Sequence, residues 1–127
     1  MQDKVIFPDP FTRLKAGHLL CRVDEIDNPG CKEFIFEGSK DTVSIFLVRQ
    51  HDAVRAYVNQ CPHAGARLNF KPHDFLTSDK QQIICGHHGA VFEIDDGACT
   101  GGPCTNFALQ SVPIKVEQGL IYTASAT

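Results

Sequence analysis

The sequence lacks a long apolar run, an excess of basic residues, internal repeats and any stretch with a convincing helical period. A membrane-spanning helix needs about 20 consecutive apolar residues, so we expect no membrane span. Lysine and arginine together number 12, against 15 aspartates and glutamates, which gives a formal net charge of −3. Because nucleic-acid-binding proteins normally carry a basic patch, this balance argues against a nucleic-acid partner.

The first residues also lack the apolar core of a secretory signal, which excludes one of the usual routes out of the cell. The chain nevertheless contains six cysteines. In a reducing compartment, cysteines act as metal ligands or as buried thiols rather than as a disulfide framework. We therefore expect a cytoplasmic protein in which some of the cysteines bind a metal.

Short strand-like runs separated by turn residues dominate the rest of the sequence. A length of 127 residues suits one domain, which we place at residues 17–127, after an N-terminal arm at residues 1–16 that has no clear period. Within residues 53–59, apolar residues alternate with Arg55 and Tyr57 in the period of a half-buried strand. The predicted strands are Leu19–Val23, Lys32–Glu37, Thr42–Arg49, Ala53–Asn59, Gln81–Cys85, Val91–Ile94, Ala98–Thr100, Val112–Glu117 and Leu120–Thr123. This pattern predicts an all-β fold of small, stacked antiparallel sheets.

Two short motifs combine a cysteine with a histidine. The first is Cys61-Pro62-His63, and after 21 intervening residues comes Cys85-Gly86-His87-His88. Together they offer two sulfur and two nitrogen ligands, a set that zinc accepts. A 2Fe-2S cluster in which two histidines replace two cysteines on one iron accepts the same set. The local spacing alone does not choose between His87 and His88.

The paired motifs resemble those of Rieske proteins, which have C-x-H in the first loop and C-x2-H in the second. The resemblance extends over roughly residues 17 to 124. It implies a Rieske fold with two cluster-binding loops at one end, and a 2Fe-2S cluster as cofactor. The implied ligands are Cys61, His63, Cys85 and His88. The run Gly101-Gly102-Pro103 resembles the loop that covers the cluster in this family.

Departures from the family pattern narrow the resemblance. Rieske proteins of respiratory complexes carry an extra cysteine in each motif, where this chain has Ala66 and His87. High-potential members carry a serine and a tyrosine where this chain has Ala90 and Phe92. The resemblance is therefore to the low-potential, oxygenase-ferredoxin-like branch.

This resemblance implies a one-electron transfer protein, a stand-alone ferredoxin that passes electrons from a reductase to an oxygenase. We expect a monomer with protein redox partners and no catalytic residues of its own, hence a component of an oxidoreductase system rather than an enzyme. One alternative is a subunit of a larger reductase, similar to the Rieske-like small subunit of nitrite reductases. Another is a zinc-stabilised interaction module.

The histidines outside the two motifs have no partners at ligand spacing. We expect buried thiols at Cys21, Cys31, Cys99 and Cys104, because unligated cysteines are among the most buried residues. We expect surface positions for His18, His51 and His73.

Overall fold

The computed structural model describes residues 19–37, 42–51, 53–60, 67–69, 71, 73–86, 89–101 and 107–124. The predicted arm at residues 1–16 falls outside these ranges. The described residues form nine strands: β1 Leu19–Arg22, β2 Gly30–Glu37, β3 Thr42–Gln50, β4 Ala53–Val58, β5 Gln82–Ile84, β6 Val91–Glu93, β7 Cys99–Gly101, β8 Ile114–Glu117 and β9 Leu120–Thr123. Each predicted strand has a counterpart whose bounds differ from the prediction by no more than two residues.

The strands form three antiparallel sheets of three strands each. Their orders are β1-β9-β8, β2-β3-β4 and β5-β6-β7. In these ranges the only helical element is one 3-10 turn at Val23–Glu25, and no helix there is long and apolar enough to cross a membrane. The predicted all-β class and small antiparallel sheets are confirmed.

The β2-β3-β4 sheet lies between two hydrophobic cores. The run from Ile45 to Val48 on β3 is 0% exposed throughout. Phe46 and Val48 belong to a core shared with the β5-β6-β7 sheet, whereas Ile45 and Leu47 belong to a core shared with the β1-β9-β8 sheet. Successive side chains of a strand point to opposite faces, so both faces of this sheet are covered.

The burial of β4 differs from the predicted half-buried alternation. Tyr57, which the alternation places on the solvent face, is 2% exposed, similar to Ala56 and Val58 on either side of it. Its hydroxyl donates a hydrogen bond to the Ile94 carbonyl oxygen at 2.6 Å. The alternation failed here because a second sheet covers the face that solvent was expected to occupy.

Two hairpin turns have the residues that the sequence indicated. The β6–β7 turn contains Gly97 at φ +76°, and the β8–β9 turn contains Gly119 at φ +78°. A Cβ at position 97 would lie 2.8 Å from a ring carbon of Tyr57, whereas one at position 119 would meet nothing within 4 Å. The first glycine is therefore needed for space and conformation, and the second for conformation alone.

The first and last described strands pair with each other. In the β1–β9 ladder, Leu19 is opposite Tyr122 and Arg22 is opposite Leu120, with an irregularity between Leu19 and Cys21. The sequence predicted both strands but not their pairing. Both ends of the described domain consequently lie side by side on the sheet that carries neither Cys/His motif.

Candidate metal centre

One of the four implied ligands, Cys85, lies within the part of the chain that the structure describes. Cys61, His63 and His88 lie outside it, as does His87. Cys85 directly follows β5, is 0% exposed and packs in the core between two sheets. The described residues on either side of each motif show where the two motif-bearing loops begin and end.

The second motif occupies the connection between β5 and β6. The Cys85 N–H donates to the Ala90 carbonyl at 2.8 Å, and the Gly89 N–H donates to the Cys85 carbonyl at 3.0 Å. Ile84 pairs with Val91 directly below these bonds. Gly89 has φ +71° and open space around its missing Cβ. The second loop is therefore a continuation of a β-hairpin that needs glycine for its backbone conformation.

The first motif lies in a loop that a side chain closes. Asn59 follows β4, and its backbone N–H donates to the Ser44 carbonyl at 2.8 Å. Its side-chain Oδ1 accepts the N–H of Leu68 at 2.8 Å. The chain thus leaves the sheet at Gln60 and returns at Leu68, next to the point of departure.

A backbone hydrogen bond joins the two loops at their bases. The N–H of Gly86, the residue after Cys85, donates to the Leu68 carbonyl at 2.8 Å. The Leu68 side chain is 0% exposed. This bond joins the described ends of the two segments in which the motifs lie, 59–68 and 85–90. Two thiols and two imidazoles carried by adjacent loops fit the donor set of a cluster with two sulfur and two nitrogen ligands.

The loop expected to cover the cluster begins beside the second motif. Gly101, the last residue of β7, pairs with Val91, the first residue of β6. Gly102 and Pro103 lie outside the described residues. The segment after Gly101 therefore starts next to the chain that leaves the second loop.

A buried polar network supports the first loop. Glu33 on β2 accepts hydrogen bonds from Ser44 Oγ at 2.8 Å and from Asn69 Nδ2 at 2.9 Å. Asn59 Nδ2 donates to Ser44 Oγ at 3.0 Å and to Asn69 Oδ1 at 2.9 Å. The sequence analysis missed these residues. Two signals were available: Ser44 is the only polar residue in the run from Val43 to Val48, and Asn59 lies two positions before Cys61.

The other cysteines lie as predicted where they are described. Cys21 and Cys99 are buried and Cys31 is partly buried, while Cys104 lies outside the described ranges. Burial, with a smaller contribution from the Asp74 carboxylate, raises the pKa of the Cys31 thiol to about 12. Burial also raises the pKa of Cys21. Cys31 is therefore a neutral thiol at physiological pH, unsuited to act as a nucleophile.

The predicted surface histidines are exposed where they are described. His51 and His73 are both exposed, and His18 lies outside the described ranges. His73 Nδ1 accepts the backbone N–H of Glu33 at 2.9 Å. Among the residues that the structure describes, no group of three or more His, Cys, Asp or Glu side chains could hold a metal ion.

Stacked antiparallel sheets with two Cys/His loops at one edge define a small β protein of the iron–sulfur class. Residues 17–113 match the Rieske [2Fe-2S] domain family, and the chain belongs to that family. The family match implies a Rieske-type 2Fe-2S cluster as cofactor, which confirms that prediction. The match decides in favour of iron and sulfide over zinc.

A curated protein of known function is similar to this chain in sequence. The chain is 34% identical over 85 residues to the carnitine monooxygenase oxygenase subunit of Escherichia coli strain K12, covering 59% of this chain and 21% of that subunit. The chain thus spans about a fifth of the length of that relative.

Solved structures share the fold, and two of them come from carbazole dioxygenase systems. One is the ferredoxin of carbazole 1,9a-dioxygenase from Nocardioides aromaticivorans IC177, with a TM-score of 0.63 and 24% identity, covering 87% of this chain and 97% of that one. The other is the terminal oxygenase of carbazole 1,9a-dioxygenase from Novosphingobium sp. KA1, with a TM-score of 0.66 and 22% identity, covering 87% of this chain and 30% of that one.

Proposed function

We propose that this chain is a stand-alone Rieske-type ferredoxin that passes single electrons from a reductase to an oxygenase. The observation that carries the proposal is the hydrogen bond from Gly86 to Leu68, which joins the bases of the two motif-bearing loops. The extent of the structural likeness adds support, because the match covers 97% of a ferredoxin that serves a dioxygenase.

Cys61, His63, Cys85 and His88 are the proposed ligands. Cys61 and Cys85 would hold the cluster through thiolates, and His63 and His88 would hold it through neutral imidazoles. When bound, a cluster of this type takes up and releases one electron, at a higher potential than a cluster held by four cysteines. His87 is assigned no ligand role.

The burial along the second loop supports an orientation for this site. Cys85 is 0% exposed, whereas Gly86 and Gly89 on either side of the histidine pair are exposed. The Cys85 side chain therefore lies inside the domain, while Gly86 and Gly89, the described neighbours of the histidine pair, are open to solvent. A redox partner approaching this edge would meet the imidazoles first, over the small contact area of transient electron-transfer complexes.

The remaining parts of the proposal concern the setting of the protein. We assign it to the cytoplasm as a monomer, because its cysteines suit a reducing compartment. It performs no substrate conversion of its own and acts only as a component of an oxidoreductase system.

Anaerobic purification from an iron-replete host tests the proposal. We expect about two irons and two acid-labile sulfides per chain, as a 2Fe-2S cluster requires. The reduced protein should re-oxidise when mixed with an oxygenase of the carnitine or carbazole type, and a protein freed of iron is the control. Colourless protein with one zinc per chain would contradict the assignment.

A second candidate function is favoured by the likeness to oxygenase subunits. The match to the carnitine monooxygenase oxygenase subunit covers 21% of that protein. Under this alternative, the chain is the electron-entry domain of a larger oxygenase. Mass spectrometry of the protein isolated from its native cells separates the two, since a mass near 14.0 kDa supports the ferredoxin.

A further inference from the structure

We infer that Asn59 is a positioning residue that holds both proposed ligand loops in register through the backbone of Leu68. The inference rests on the proposed function, because it takes Cys61 and His63 to be ligands in the loop that Asn59 closes. It assigns a role to a residue outside both Cys/His motifs.

The Asn59 side chain is buried with its polar atoms bonded. It is 4% exposed, its Oδ1 accepts the Leu68 N–H at 2.8 Å, and its Nδ2 donates to Asn69 Oδ1 at 2.9 Å and to Ser44 Oγ at 3.0 Å. A buried amide with bonded donors and acceptor is held in one orientation, because any rotation leaves a polar group without a partner.

The orientation of this amide follows from Glu33. An ionised carboxylate only accepts hydrogen bonds, so Asn69 must turn its NH₂ group toward Glu33 Oε1, which lies 2.9 Å away. Asn69 Oδ1 is then left facing Asn59, which must present its own NH₂ group in return. Asn59 Oδ1 therefore points to Leu68. A charged group on β2 thus decides which atom of Asn59 meets the first loop.

The backbone of Leu68 connects Asn59 to the second loop. Its N–H is held by Asn59, and its carbonyl accepts the Gly86 N–H at 2.8 Å. Gly86 is bonded covalently to Cys85, whose side chain is 0% exposed. A displacement of Leu68 must therefore move both loop bases together. A cluster shared by the two loops requires a fixed distance between them. Asn59 fixes that distance by holding Leu68, to which the second loop is hydrogen-bonded.

The substitution Asn59→Asp tests this chain of contacts in the intact protein with its cluster. It keeps an oxygen for the Leu68 N–H but places a second carboxylate 3.4 Å from Glu33 Oε2 and next to Asn69 Oδ1. We expect iron release to an added chelator to become about tenfold faster, the equivalent of about 1.4 kcal/mol. The electron paramagnetic resonance spectrum of the reduced cluster should change its g values.

A second substitution provides a rescue. In the Asn59→Asp background, Glu33→Gln removes one of the two facing charges and supplies an amide donor. We expect the double variant to reverse at least half of the increase in the logarithm of the iron-release rate. Glu33→Gln alone should accelerate iron release about threefold, since it leaves amide donors facing each other.

Tyr57→Phe is the matched control. It removes one buried hydrogen bond from β4, the strand that leads to Asn59, namely that between the Tyr57 hydroxyl and the Ile94 carbonyl, and this bond belongs to neither loop base. We expect a lower Tm with unchanged g values and unchanged iron release. If Asn59 positions the loops, Asn59→Asp should instead change both the g values and the rate of iron release.

Three results would overturn the inference. The first is wild-type iron release and g values in Asn59→Asp, and the second is a failure of Glu33→Gln to rescue it. The third, decisive if Asn59→Asp does not fold, is a Glu33→Gln single variant identical to the wild type in both measurements. A wild-type protein that binds no iron would instead overturn the proposed function itself.

Discussion

The two loops that carry the Cys/His motifs are built by different means. The first is closed by the side chain of Asn59, supported by Glu33 and Ser44 from neighbouring strands. The second is closed by its own backbone, through the bonds between Cys85 and Ala90 and between Gly89 and Cys85. One loop depends on side chains distant in sequence, and the other depends on a hairpin and a glycine.

This difference indicates how each loop responds to change. A backbone-closed hairpin tolerates side-chain replacement except at its ligands and at Gly89, because its bonds are main-chain bonds. A side-chain-closed loop is sensitive to single polar substitutions far from the ligands. The following predictions test the contrast, in order of decreasing effect on the cluster.

The largest effect is expected within the second loop, at the histidine pair. His88→Ala should abolish the visible spectrum of the oxidised cluster, because a lost ligand leaves an iron under-coordinated. His87→Ala, the matched control one residue away, should keep that spectrum. Absorption spectra of both variants, purified without oxygen, check this prediction. The opposite pattern would move the ligand assignment to His87.

Gly89→Ala should give the next largest effect. Gly89 has φ +71°, and a Cβ added at this position would meet nothing within 4 Å. Alanine therefore adds only backbone strain, roughly 1–2 kcal/mol. We expect a lower Tm and iron release about tenfold faster.

Gly119→Ala is the matched control for that strain. Gly119 has φ +78° and equally open surroundings in the β8–β9 turn. Its replacement should lower the Tm by a similar amount and leave iron release unchanged. Equal iron release in the two alanine variants would show that the second loop does not depend on its glycine.

Smaller still is a change of potential with the cluster intact. Ala90 and Phe92 follow the second loop and are both 0% exposed. They occupy the positions where high-potential Rieske proteins carry hydroxyl groups that donate to sulfur. Such bonds stabilise the reduced, more negative cluster, so we expect a wild-type potential of about −150 mV. Ala90→Ser combined with Phe92→Tyr should raise it by about 100 mV.

Direct voltammetry of both proteins measures this shift, with Ala108→Ser as a control on an exposed residue. A wild-type potential well above 0 mV, far from the low end of the range, would show that donors other than these hydroxyls govern it.

The smallest effect concerns the core beneath both loops. Burial raises the pKa of Tyr57 to about 12 from its usual 10.0. The unfolded chain therefore loses this proton first, and the stabilisation is complete below pH 10 and lost as the pH rises toward 12. Over that window the free energy of unfolding should fall by up to about 1.4 kcal/mol per pH unit.

Denaturant unfolding of the wild type and Tyr57→Phe at several alkaline pH values measures this slope. The variant should lack the contribution of Tyr57, while the contribution of Cys31, which has the same sign, is common to both proteins. Identical slopes would contradict the assignment. The difference between the two slopes therefore reports on Tyr57 in the shared core and not on either loop.

The sequence predicted what short-range rules control. The second loop was predictable because Cys85, the histidine pair and Gly89 are close together in the chain, and the hairpin turns carry their own glycines. The motif spacing identified the family and its cofactor, which the family match confirms. The ligand assignment to Cys61, His63 and His88 stays a prediction.

Long-range contacts account for what the sequence did not predict. Asn59 meets Ser44 and Glu33, which are 15 and 26 residues away, and no local pattern indicates such partners. Tyr57 was expected on a solvent face because an alternating pattern predicts one buried face. The pattern does not show whether a second sheet covers the other face. The β1–β9 pairing joins opposite ends of the domain, beyond the reach of turn signals.

That last pairing has a consequence for how the domain combines with other polypeptides. With Leu19 opposite Tyr122, the chain enters and leaves the domain at neighbouring points. Such a module can be inserted into a surface loop of another protein, or circularly permuted, without separating its ends. The geometry explains how one small fold serves both as an independent carrier and as a segment of far longer chains.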